Sequence, residues 1–130
     1  MDMDRFAAEV ERAIAELPPT FRAAVDNVAV LLEERADEAT CREMALDHPL
    51  DLLGLYRGLP LPERGGTYAG AEPDQVHLYR EAILDYAGHH RLSVRDCVRN
   101  TLIHELGHYL GYDDDQLERI EHGPSRNGAG

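Results

Sequence analysis

From Asp4 onward the apolar residues Phe6, Ala7, Val10, Ala13, Ile14 and Leu17 recur at three- and four-residue spacing with charges between them, until Pro18-Pro19 ends the series. That period predicts an amphipathic helix. Thr20 to Val25 reads as a short helical turn. Val28-Ala29-Val30-Leu31-Leu32 is a continuous apolar run, rich in β-branched residues and bracketed by Asp26-Asn27 and Glu33-Glu34, which predicts a buried strand. Ala36 to Asp47 is polar and shows no clear period. Leu52 to Tyr56 predicts a second strand, stopped by Gly58. From Gly58 to Pro73 glycine and proline recur without periodicity, so residues 60–73 form a long loop, either a lid over a site or a plain surface excursion.

Gln75 to Tyr79 alternates polar with apolar and predicts a third, half-buried strand. Arg80 to Ala87 has helical spacing and breaks at Gly88. Ser93, with Asp96 three residues later, is a capping signature for a long helix whose apolar positions Val94, Cys97, Val98, Leu102, Leu106 and Leu110 run to a glycine stop at Gly111. A last short helix spans Gln116 to Glu121, capped by Asp114 or Asp115. These elements predict one α+β domain over residues 1–122, followed by a frayed tail at 123–130.

Composition narrows the function. Leu, Ile, Val and Phe make up 30 of 130 residues, enough for a core without a metal or disulfide staple. Against 25 acidic residues stand 13 basic ones, and the net charge of -12 disfavours nucleic acid and anionic membranes as partners. No apolar run reaches spanning length, and the acidic start Met1-Asp2-Met3-Asp4 lacks the positive charge of a secretory signal, so a cytoplasmic location is expected. Cys41 and Cys97 then read as reduced thiols.

The long helix carries the candidate chemistry, His104-Glu105-Leu106-Gly107-His108. Residues four apart project from one helix face, so the two imidazoles can share one metal ion, and Zn²⁺ accepts neutral histidine nitrogens. A catalytic zinc needs a third protein ligand and an open position. Gly111 lets the chain reverse and return Asp114 toward the metal, with Asp113 and Asp115 as competitors for that role or as partners orienting a ligand histidine. Glu105, directly after the first histidine, is placed to act as general base on the metal-bound water. In a shuffled chain of this composition H-E-x-x-H arises about four times in a hundred, and the version with the glycine and aspartate about three times in ten thousand.

The pattern His104-Glu105-x-x-His108-x-x-Gly111-x-x-Asp114 resembles that of the small zincin-like metallopeptidases. Leu55 to Arg64 and Leu78-Tyr79-Arg80 resemble their upstream segments, so the similarity covers most of Val28 to Ile120. The resemblance implies a minimal zincin fold: a small mixed sheet, an active-site helix with flanking helices, and an edge strand above the metal, here Gln75 to Tyr79. It implies one catalytic Zn²⁺ held by His104, His108 and Asp114, with Glu105 as base. The larger metzincins differ, because they use a third histidine and a methionine turn after the motif, whereas Met1, Met3 and Met44 all precede it here.

His77 and Tyr79 on that strand are candidate substrate-binding residues, and Tyr79, Tyr109 and Tyr112 are the nearby phenols for an oxyanion. The expected activity is zinc-dependent hydrolysis of peptide bonds, on a peptide or unfolded protein. Two rivals stand beside it. One is a zinc-binding recognition module without turnover. The other is a metal-dependent endoribonuclease, because Leu110-Gly111-Tyr112-Asp113 is similar to a segment of ribosomal-RNA maturation nucleases, although these carry histidine where Asp114 stands.

Overall fold

Three side chains open helices in the same way. Asp2, Asp37 and Ser93 sit in extended backbone, and each accepts a hydrogen bond from the amide three residues on, satisfying a donor that the first helical turn leaves unpaired. In the computed structural model, which describes residues 1–58 and 73–121, these caps start α1 (Met3–Ala15), α3 (Glu38–Glu43) and α5 (Val94–Leu110). Between the first two, Pro19 opens α2 (Pro19–Val25) and the Val28 run becomes β1 (Val28–Glu33). A 3-10 turn at Pro49–Asp51 leads to β2 (Gly54–Arg57). Then come β3 (Asp74–Tyr79), α4 (Arg80–His90) and, after α5, α6 (Asp114–Glu121). The fold is α+β with a small mixed sheet, as expected.

Several details differ from the sequence reading. Strand β1 is an edge strand and only partly buried, with Leu31 exposed, where its apolar run predicted a buried one. The polar stretch from Ala36 contains α3, which its Asp37 cap announces but which is too short, at 6 residues, to display a period. Helix α4 does not break at Gly88. It runs on to His90 and ends at Arg91, which takes the left-handed conformation at φ 55. Helix α6 starts at Asp114, with Asp113 as its cap: Asp113 accepts from the Gln116 amide at 2.8 Å and the Gln116 side chain accepts from the Asp113 amide at 2.9 Å.

The sheet order is β1-β3-β2, with β1 parallel and β2 antiparallel to β3. Gln75 to Tyr79 is therefore the central strand, and the edge position assigned to it from sequence belongs to β2. Both neighbours consume its main-chain groups, so it has no side left for a substrate to pair with. Its side chains alternate. Val76 and Leu78, both 0% exposed, join Leu102, Ile103 and Leu106 of α5 in the main core, which α1 closes from the far side. Tyr79 lies on the opposite face, in a second cluster with Ala36 and Ala82. Residues 60–72 of the candidate lid and the 123–130 tail lie outside the described residues. Among the described residues no helix is long and apolar enough to cross a membrane.

Candidate metal centre

Helix α5 is held to the core by Leu102, Ile103 and Leu106, and this fixes which side of it faces outward. On that outward side His104, Glu105 and His108 are all half-buried. One ligand atom from each lies within 4.8 Å of the other two, and the imidazole rings stand edge to face, their centroids 4.8 Å apart. Two imidazoles and a carboxylate that converge at this distance form a donor set suited to zinc.

A close approach of strand to helix completes the site. A Cβ on Gly54 would lie 2.7 Å from the Thr101 methyl and 3.4 Å from Glu105 Cγ, so only glycine lets β2 settle this near to α5. Thr101 turns that methyl outward because its hydroxyl donates to the Cys97 carbonyl at 2.8 Å. Strand and helix are then near enough for Glu105 Oε1 to accept from the Tyr56 main-chain N–H at 2.9 Å. That amide points away from β3, toward the outer edge of β2, which no described strand covers. The Tyr56 hydroxyl in turn donates to buried Asp74 at 2.6 Å, and its ring packs edge-on against Tyr109.

Beyond the helix stop at Gly111, with φ 88, helix α6 returns across α5. Leu117 is buried on Gly107, where an added Cβ would lie 2.1 Å from Leu117 Cδ2, so the glycine between the two histidines is where α6 docks. Docking places Asp114 in the first turn of α6, exposed. Its charge raises the pKa of the His104 imidazole, but burial first and His108 second outweigh it, and the net shift is downward. A lowered pKa keeps this nitrogen unprotonated and available to a metal. The Asp114 carboxylate lies outside the close group formed by His104, Glu105 and His108.

The other candidates are placed elsewhere. His77 and Tyr79 lie on the sheet face turned away from α5. The His77 ring contacts Glu33 through Nδ1 and Gln75 through Nε2 and stacks on Tyr79. Tyr79 is 2% exposed, and burial pushes its hydroxyl up to about 12. Tyr112 packs against Phe21. Gly54, Tyr56 and Asp74 were not singled out from sequence. The one signal for them was a glycine inside an apolar strand, Leu53-Gly54-Leu55, which marks close backbone approach.

No curated protein matches the chain. Residues 25–123, from the end of α2 past the end of α6, match the family model described as zincin-like metallopeptidase. Three-quarters of the chain is covered, including every residue of the metal centre, and the chain belongs to the zincin-like metallopeptidase family.

Proposed function

We propose that the protein is a zinc-dependent peptidase acting on peptides or unfolded chains in the cytoplasm. Its zinc ligands are His104, His108 and Asp114, and its general base is Glu105. The observation that carries this reading is the position of Glu105, which touches both the imidazole pair and the outer edge of a β-strand. A carboxylate there can take a proton from water at the metal while a substrate main chain lies along β2.

Zinc, when bound, would supply a Lewis acid that polarises the scissile carbonyl and acidifies a water. The chain supplies the rest. With the Tyr56 N–H held by Glu105, the Gly54 main-chain groups and the Tyr56 carbonyl remain at the outer edge of β2, where an extended peptide can add as a strand with little demand on its side chains. Glu105 takes the proton and later hands it to the departing amine, and its bond to the Tyr56 amide fixes which carboxylate oxygen remains for that work.

The test is incubation with an unfolded protein and with a structured RNA, each with and without chelator. Cleavage of the protein that stops on chelation and returns with added zinc is expected. RNA cleavage would favour the nuclease, and a zinc-loaded protein that cuts neither would be a recognition module.

A further inference from the structure

Asp74 opens the central strand on the sheet face that packs against α5, two and four residues before Val76 and Leu78 on that same face. Those two are apolar and 0% exposed, and Asp74 is only 4% exposed. A carboxyl group buried in such company gives up its hydration, a cost that a valine at the same position would not incur. One of its contacts leads toward the metal centre. Tyr56 stands opposite Val76 in the pairing of β2 with β3, so Asp74 is its diagonal neighbour. The Tyr56 hydroxyl donates to Asp74 Oδ2 at 2.6 Å, the length of a hydroxyl bond to a carboxylate ion. Gly58 leaves room for this pair, since a Cβ there would collide with the Asp74 carboxyl group.

Tyr56 carries the link onward. Its main-chain N–H holds Glu105 Oε1 at 2.9 Å, and its ring packs edge-on against Tyr109, one helical turn beyond Glu105. Strand β2 has only 4 residues and lies at the edge of the sheet, so few ladder bonds hold its main chain in place. The side chain supplies the missing restraint. With its hydroxyl fixed by Asp74 and its ring by Tyr109, Tyr56 cannot slide or turn without breaking a charge-assisted bond, and the direction of its N–H is set from inside the fold.

We propose that Asp74 is a positioning residue for the general base, acting through the Tyr56 hydroxyl to fix the main-chain N–H that holds Glu105. The inference rests on the peptidase reading. A small misplacement of a reacting group is expensive in rate, whereas zinc is held by groups on α5 and α6 and the peptide lies along the outer edge of β2. Loss of the anchor should therefore slow turnover and spare both kinds of binding.

The test is Tyr56→Phe, which keeps the ring and the main-chain N–H and removes only the hydroxyl. On a peptide that the wild type cuts, kcat should fall about tenfold while KM moves less than twofold, with zinc content unchanged. Asp74→Asn keeps an acceptor without the charge and should fall between the wild type and Tyr56→Phe. Amide hydrogen exchange, read by NMR on the zinc-loaded protein, gives a second readout independent of turnover. The Tyr56 amide should exchange at least about fivefold faster in Tyr56→Phe, and the Leu78 amide of the central strand should keep its wild-type rate. A rise in KM that matches the fall in kcat, or acceleration of Leu78 as much as Tyr56, would show a general loosening of the sheet and overturn the proposal. An unchanged kcat or an unchanged Tyr56 exchange rate would also overturn it. If the wild type cuts no peptide, exchange still decides: a faster Tyr56 amide alone would keep the link from Asp74 to Glu105 and remove the peptidase reading, whereas unchanged exchange would remove both.

Discussion

Glu105 and Tyr56, 49 positions apart in the chain, are joined by a 2.9 Å hydrogen bond from the tyrosine main-chain N–H to the glutamate carboxylate. The bond ties the helix that carries the imidazoles to the sheet edge on which a peptide would lie, and the absence of a side chain at Gly54 makes it geometrically feasible.

Gly54→Ala should therefore damage the site more than the fold. The new methyl meets the Thr101 methyl and the His77 carbonyl, at 2.7 Å and 3.0 Å, and forces β2 away from α5. Overpacking of this kind costs about 1–3 kcal/mol, while displacing the base from the strand should lower kcat by roughly tenfold to a hundredfold. Thr101→Ser removes the offending methyl and keeps the hydroxyl bond to Cys97, so the double variant should recover part of both losses. Strictly additive effects in thermal unfolding and kinetics would show that the two side chains do not meet.

Zinc binding separates the roles of neighbouring aspartates. His104→Ala and His108→Ala should each abolish stoichiometric zinc, measured by elemental analysis. Asp113→Ala removes the α6 cap and should cost about 1 kcal/mol of stability, with zinc affinity weakened only through a looser α6. Asp114→Asn should leave stability nearly unchanged and weaken zinc by at least about a hundredfold, the upper end for losing even a supporting partner. Chelation of the wild type should lower Tm only modestly, because the fully buried core of Phe6, Val76 and Leu102 does not include the candidate metal ligands. A larger loss of affinity at Asp113 than at Asp114 would move the third ligand one residue back.

The metal-free protein should lose stability as the pH falls below 6.5. Burial, reinforced by His108, holds the His104 pKa below that usual value against the pull of Asp114. The unfolded chain then takes up this proton first, and the loss from this group ends once the pH passes the folded value. An NMR titration of the metal-free protein should give a His104 midpoint below 6.5, and Asp114→Asn should lower it further. A wild-type midpoint at or above 6.5 would show that the aspartate outweighs burial.

Much of this was legible because its causes are local. The spacing of His104 and His108, the Ser93 cap and the Gly111 stop define α5 within a few turns of chain, and Val28 to Leu32 shows a strand through its own composition. Strand order was not legible. The alternation in Gln75 to Tyr79 reports that one face is buried, as Val76 and Leu78 are, but not whether neighbours pair on one side or both. The central place of β3 depends on its pairing with β1, 46 positions earlier at every register point. The same applies to Tyr79, buried by a second cluster that includes Ala36, and so to the placement of His77 and Tyr79 away from the metal centre. The contact between Glu105 and Tyr56 needed the fold to be seen.

The central claim, that Glu105 is a base and not merely a neighbour of the metal, is tested most directly by Glu105→Gln. The amide keeps the size of the carboxylate and can still accept from the Tyr56 N–H, so zinc content and Tm should stay close to wild type. It cannot take a proton from water, and losing a positioned base typically slows a reaction by about two to four orders of magnitude. Both proteins, matched for zinc, are given the same library of unstructured peptides. Cleavage by the wild type that collapses in the variant is the predicted result, and equal cleavage by the two would contradict the account.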